Sequence, residues 1–317
     1  MITLEAVYVL TGALFAAVAV LSALDGGNPR RWGNALFWGL FAASFLAGSH
    51  LSDLANGVLV LAMVTIAGFS GLGAGQAATT GPAERAESAR RLGDWLFAPA
   101  LTIPAVTLIG ALALKGLHLG AAPLIDAKQA TPISLALGVL AAGVLAAALL
   151  RPPPLAAFQE GRRLIDTVGW AAVLPQMLAA LGAVFALAGV GNAVGALVSH
   201  ALPADNRLAA VCAYTVGMAL FTMIMGNGFA AFPVMTAGVG LPLIVRKFGG
   251  DPAIMAAIGM LSGFCGTLMT PMAANFNLVP PALLEIPDRY AVIKAQIPTA
   301  LLMLAINMGL MYVLAFR

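Results

Sequence analysis

The chain has 317 residues, 61% of them hydrophobic and only 9% charged, with a mean hydropathy of +0.96. An average soluble domain is about 25% charged, so the composition excludes a soluble globular protein, whose surface so few charges could not cover. The net charge of +3 calls for no nucleic-acid partner, because Lys and Arg in an apolar chain usually act as topology signals.

The charges cluster at Asp25–Arg31, Glu84–Asp94, Lys115–Lys128, Arg151–Asp166, Asp205–Arg207, Arg246–Asp251 and Glu285–Lys294. Uncharged windows lie between them: Leu54–Leu72, Leu96–Leu114, Pro132–Leu150, Val168–Val198, Leu208–Val245, Ala253–Leu284 and Ala295–Phe316. Each can cross a hydrocarbon core of about 30 Å, which takes about 20 helical residues. The alternating segments of about ten residues that mark a β-barrel are missing. The expected fold class is all-α: a polytopic transmembrane helical protein with about nine or ten hydrophobic segments.

The first window, Leu4–Leu24, has no Lys or Arg before it. A cleaved signal peptide wants a basic leading region, so a retained helix with its N-terminus outside is expected. Placing Arg30 and Arg31 in the cytoplasm makes helix 1 run inward. A short helix over Gly33–Ala47 returns, ending at His50, Ser52 and Asp53, and a third over Leu54–Leu72 goes back in. It leads into a loop, GAGQAATTGPAERAESARRLGDW, with Arg85, Arg90 and Arg91. A fourth helix, carrying Pro99 and Pro104, leads out to Lys115–Lys128, and a fifth ends at RPPPLAAFQEGRR. Eight basic residues before position 164 then fall inside and two outside, in keeping with the positive-inside bias. This divides the chain into an N-terminal membrane half, 1–150, a cytoplasmic linker, 151–167, and a C-terminal membrane half, 168–317.

The second half is irregular. Val168–Val198 runs for 31 residues without a charge, Leu208–Val245 for 38 and Ala253–Leu284 for 32. Within the 38-residue window lies MGNGFAAFPVMTAG, residues 225–238, and within the next lies SGFCGTLMTPMAANFNLVPP, residues 262–281. Both combine Gly and Pro, poor residues for a helix interior, with Asn or Thr. The basic pair Arg246 and Lys247 favours one crossing plus a re-entrant segment over two crossings in the 38-residue window. Non-helical backbone at membrane depth is tolerated only where it is buried in protein or lines a wet cavity. Two interrupted segments are the pattern of a transporter's substrate site: new helix N-termini suit a carboxylate, and freed carbonyls suit a cation. The residues expected to bind substrate are Asn227, Gly228, Thr267, Thr270, Asn275 and Asn277. Small residues at such a patch also fit plain helix packing. Gly68–Gly71 (GFSG) resembles Gly263–Gly266 (GFCG), a hint of an inverted repeat.

Other chemistries find little support. No phosphate-binding GxxxxGK[ST] stretch is present, and no His, Cys or carboxylate cluster has metal-ligand spacing. Cys212 and Cys265 sit in apolar windows, as small core residues do. GFSG also resembles the GxSG motif of intramembrane serine proteases, but His118 and His200 are expected at the opposite surface from Ser70, out of reach for a base. No catalytic residue is therefore assigned. No ionisable residue falls mid-window, where proton relays usually sit. Proton coupling would then need a helix-end group such as Glu5 or Asp53, or a second subunit. The other choice is Na⁺ held by carbonyls and hydroxyls.

The two second-half motifs, with the opening ITLEAVYVLTG, resemble a bacterial inner-membrane family known as a domain of unknown function. The resemblance spans the chain. It implies a second membrane subunit encoded nearby and uptake of 5-oxoproline (pyroglutamate). The interrupted helices are also similar in style to the ion-transporter superfamily of dicarboxylate and citrate carriers. The resulting expectation is one subunit of a secondary transporter for a small carboxylate, working by alternating access. The alternative is a membrane subunit that only scaffolds its partner.

Overall fold

The computed structural model describes residues 2–73, 75, 81–113, 118–119, 122–153, 155–201 and 206–317. Among these, seven helical stretches are long and apolar enough to cross a membrane, accompanied by two shorter apolar helices, Asp53–Phe69 and Pro252–Leu268. The protein is a helical, multi-pass membrane chain. Strand pairing is confined, among the described residues, to short matches such as the two-residue antiparallel pairing of β1 (His118–Leu119) with β2 (Ala122–Pro123). The chain forms two compact units, Met1–Asp166 and Thr167–Arg317.

The first unit is built from helical hairpins. Helices α1 (Leu4–Ala23) and α2 (Arg31–Ala47) run antiparallel, zipped by Phe15 against Trp38, Phe41 and Phe45, with ring centroids 5.1 to 5.7 Å apart. Such contacts contribute about 0.5–1.5 kcal/mol each beyond area burial. Phe37, Trp38 and Phe41 are buried at the centre of α2. Helix α3 (Asp53–Thr65) starts under a Ser52 cap that accepts from the Ala55 amide, and it widens into a π-helical turn over Ile66–Ser70. A polar helix α4 (Pro82–Leu92) follows. Helices α5 (Phe97–Ala113) and α6 (Ala130–Leu150) form a second hairpin in which Gly138 sits against the Ile103 backbone. The amphipathic α7 (Ala156–Val168) closes the unit.

In the second unit a 3-10 turn over Gly169–Val173 leads into α8 (Leu174–Leu187) and α9 (Val190–Ala201), separated at Ala188 and Gly189. The core is organised on α10 (Arg207–Met225). Its buried residues Val211, Tyr214, Thr215, Met218, Ala219, Thr222 and Met225 recur at helical spacing, the signature of one face turned to protein. Helix α11 (Gly228–Met235) runs back along α10 and continues as a π-helix over Thr236–Lys247. Pro233 and Pro242 each withdraw an amide from this stretch, and the widened turns accommodate the loss. The Tyr214 hydroxyl meets Thr236 Oγ1 at 3.0 Å. Helix α12 (Pro252–Leu268) begins under Asp251, which accepts from the Ala253 and Ile254 amides at 2.8 and 2.9 Å, with Pro252 in the first turn, as helix starts prefer. Short helices α13 (Ala274–Asn277) and α14 (Val279–Leu283) lead to α15 (Ala291–Leu314).

Three local expectations differ from the structure. Residues 207–247, which contain the 38-residue window, hold two helices of 19 and 20 residues, each long enough to cross, where the basic pair favours one crossing with a re-entrant segment. The break between them needs only Gly226 and Asn227, so length remains for both. The stretch after Gly81, expected as loop, is helix α4, with Glu84 in its first turn and Arg90 and Arg91 in its last, matching the helix dipole. Most of 151–167, expected as linker, is α7. The two GFxG matches sit in unlike settings: Gly68–Gly71 runs from the π-turn into a residue at φ +61°, whereas Gly263–Gly266 lies inside regular α12.

Candidate functional site

The two sequence interruptions meet in the second unit. Helix α10 ends at Met225, and Gly226 takes a left-handed φ of +74° while its amide bonds Thr222 O at 2.7 Å. Asn227 is extended and caps α11, its Oδ1 accepting from the Phe229 amide at 2.8 Å. Because Asn227 has left the helix, the Met223 carbonyl loses its normal donor four residues on. Thr270, from the other interruption, supplies one: its Oγ1 donates to Met223 O at 2.8 Å and accepts from the Met272 amide at 3.2 Å. A methyl group on Gly226 would lie 2.6 Å from Met272 O, so only glycine lets the two turns touch.

The α12 end follows the same logic. Thr267 O would bond the amide of residue 271, but Pro271 has none. Asn277 fills the gap: its Nδ2 donates to Thr267 O and Thr270 O, each at 2.7 Å, from a fully buried position. Two polar atoms at this junction remain without a partner among the described residues, Asn277 Oδ1 and Thr222 Oγ1. Thr222 faces Gly263, where an added methyl group would lie 3.3 Å from the hydroxyl. Thr267, one turn beyond Gly263, bonds Gly263 O only at 3.5 Å. Phe229 and Phe264 meet edge to face beside the junction, centroids 5.9 Å apart.

The structure therefore brings Asn227, Gly228, Thr267, Thr270 and Asn277 to one junction, with Gly228 buried against Gly263 and Phe264. Asn275 lies half-buried on α13. Thr222 is an addition that the sequence pattern did not single out. Its signal is a lone hydroxyl four residues ahead of Gly226 in an otherwise apolar run. The junction can offer a buried hydroxyl donor and a buried amide acceptor, and the described residues that build it carry no charged side chain.

A second polar cluster, also absent from the sequence expectations, lies in the first unit. Arg162 is buried and donates from Nη1 to Leu21 O at 2.7 Å and from Nη2 to Asp25 Oδ2 at 3.1 Å. Asp166 Oδ1 accepts from Asn34 Nδ2 at 3.1 Å and Trp38 Nε1 at 3.0 Å. Asn34 also exchanges two hydrogen bonds with the Gly73 backbone. The helix-end carboxylates named from sequence sit elsewhere: Glu5 accepts from Ser49 Oγ at 2.9 Å, and Asp53 is exposed in the first turn of α3. The side chains of Ser70 and His118 lie outside the described residues, and His200 is exposed at the end of α9.

No curated protein and no solved structure matches the chain. Residues 5–316 match the model of the family described as protein of unknown function (DUF979), and the chain belongs to that family.

Proposed function

We propose that this chain is one subunit of a secondary transporter that takes up a small carboxylate, 5-oxoproline, across the bacterial inner membrane by alternating access around the α10–α11 and α12–α13 junction. The observation that carries the reading is that two helix interruptions, far apart in sequence, meet: Thr270 of the second answers the open Met223 carbonyl of the first and Asn277 answers the open carbonyls of its own, while two buried polar atoms have no partner among the described residues. A hydroxyl donor at Thr222 suits a carboxylate, and the Asn277 oxygen suits a lactam N–H. Interrupted helices are the usual place for such cargo in secondary transporters. Na⁺ or H⁺ would supply the driving force, and a second membrane subunit encoded nearby would complete the carrier.

One observation favours the scaffold alternative. The polar side chains at the junction are largely engaged with backbone: Asn227 with Phe229, Thr270 with Met223, and Asn277 with Thr267 and Thr270. Uptake of labelled 5-oxoproline by cells expressing this chain and its neighbour separates the two readings. Loss of uptake in Asn227→Ala, Asn275→Ala or Asn277→Ala chains that still reach the membrane supports transport. Wild-type uptake in all three removes the proposed site and leaves the scaffold.

A further inference from the structure

We propose that α7 is an interfacial helix: its apolar outer face is seated in the headgroup–acyl boundary of the bilayer, while its polar face docks on the first unit. The proposal is independent of the transport reading.

The sequence of α7 carries two stripes. Gln159, Arg162 and Asp166 recur at the three- and four-residue spacing of one helical face. Ala157, Gly161 and Leu164 recur in the same way on another, flanked by Phe158 and Ile165. On a surface helix of a soluble protein the apolar stripe turns inward. Here the order is reversed. Arg162 is buried, donating to Leu21 O at 2.7 Å and to Asp25 Oδ2 at 3.1 Å. Asp166 accepts from Asn34 and Trp38, and Gln159 Oε1 is buried as well. On the other side Ala157 is exposed, Phe158 and Leu164 are each 40% exposed, and Leu155 stands exposed just ahead of them. A helix that commits its polar groups to protein and turns its apolar groups outward is matched to the membrane boundary rather than to water.

The anchors fix the depth. Helix α1 is 20 residues long, about 30 Å at 1.5 Å per residue, which is the thickness of the hydrocarbon core. Leu21 lies in its last turn and Asp25 just beyond, so the Arg162 contacts sit at a membrane boundary. Asn34, in the first turn of α2, belongs to the same end of the hairpin. Left-handed residues interrupt the chain on both sides of α7: Arg151 and Leu155 before it, at φ 49° and 67°, and Gly169 after it, at φ +53°. Four charged residues, Glu160, Arg162, Arg163 and Asp166, fall within its 13 positions, a load that mid-membrane placement would make costly. At the boundary those charges meet headgroups. Arg163 pairs with Glu160 at 2.8 Å, and Arg151 is exposed at the end of α6, where a basic side chain suits anionic lipid. The exposed Val144 and Leu150 of α6 lead into Leu155, so the outer face of α7 continues a surface that meets acyl chains.

The test uses the full chain without cargo, in vesicles of phosphatidylethanolamine and phosphatidylglycerol. Cys212 and Cys265 are replaced by Ala, and a single nitroxide-labelled cysteine replaces Phe158 or Leu164. Exposed Leu140 on α6 and exposed Glu87 on α4, replaced in the same way, serve as lipid and water references. Oxygen, which partitions into the bilayer, is expected to relax the labels at 158 and 164 more than a water-soluble nickel chelate does, as at 140, with the reverse at 87. In the chain with no substitutions, a phosphatidylcholine carrying a diazirine on its acyl chain is expected to form adducts within residues 155–166. Nickel-dominated relaxation at 158 and 164 overturns the proposal, because the face is then aqueous. Low accessibility to both reagents overturns it too, because protein then covers the face. So does a lack of lipid adducts on 155–166 when α6 is labelled. No uptake is measured, so a failure here is distinct from a failure of the transport reading.

Discussion

Replacing Asn277 by Ala tests how the junction is held. Its buried Nδ2 is the donor for Thr267 O and Thr270 O, and each carbonyl left without a partner costs about 1–3 kcal/mol. The substitution also removes Oδ1, which has no partner among the described residues, and this returns about 1–3 kcal/mol. The net loss is about 2 kcal/mol, read from denaturant unfolding in mixed micelles. Asn277→Asp keeps the size but presents acceptors to two carbonyls, so it costs more than the Ala variant, above about 3 kcal/mol for a buried charge without a partner. Pro271→Ala restores the amide whose absence leaves Thr267 O open. In that background the cost of Asn277→Ala falls to about 0 kcal/mol, because one of the two carbonyls has a new donor and the other is offset by the removal of Oδ1. Equal stability of wild type, Asn277→Ala and Asn277→Asp would refute the capping argument, as would strict additivity with Pro271→Ala.

Two further outcomes rest on named contacts. Gly226→Ala places a methyl group 2.6 Å from Met272 O at a φ of +74°; left-handed backbone alone costs about 1–2 kcal/mol, and Gly226→Asn, which tolerates that φ, fails as well because the clash remains. Unfolding of both variants beside wild type checks this, with rescue by Asn counting against the close-approach argument. Outside the membrane-spanning helices, the Lys294 ammonium 2.7 Å away, with the Tyr290 amide, holds the Asp288 carboxyl below the usual carboxylate range. A depressed carboxylate contributes stability above its unfolded-state pKa and loses it as pH falls through the folded-state value, so the small stability gap between wild type and Asp288→Asn closes in acid and persists at neutral pH. A gap that widened in acid would contradict the pairing.

The membrane-spanning class and most helix positions are legible in the sequence because an uncharged window of crossing length has few other uses. The break at Gly226 and Asn227 is legible for a local reason: glycine adopts the left-handed turn and asparagine caps the next helix. The part these residues play at the junction is not legible. Asn277 acts on Thr267 because Pro271 lacks an amide, a three-way relation that no single spacing encodes. The antiparallel return of α11 is obscured by the two basic residues at 246–247, whose charge points one way while the length of the window points the other; a two-residue turn leaves room for two crossings. Arg162, Asp166 and Asp25 look like solvated ends of charge clusters, since clustering carries no sign of burial. The tell is Asn34 between apolar residues in WGNALFW, a polar side chain on the inner face of a packed hairpin.

The transport claim is tested most directly by substrate protection at the junction. Cys212 and Cys265 are first replaced by Ala, and a single cysteine is introduced in place of the exposed Met272. The chain is then labelled with a membrane-permeant maleimide, alongside its partner subunit. The account predicts that 5-oxoproline slows labelling at position 272, while a cysteine in place of exposed Leu302 on α15 reacts at an unchanged rate. Labelling at 272 that ignores 5-oxoproline at concentrations saturating uptake would contradict it.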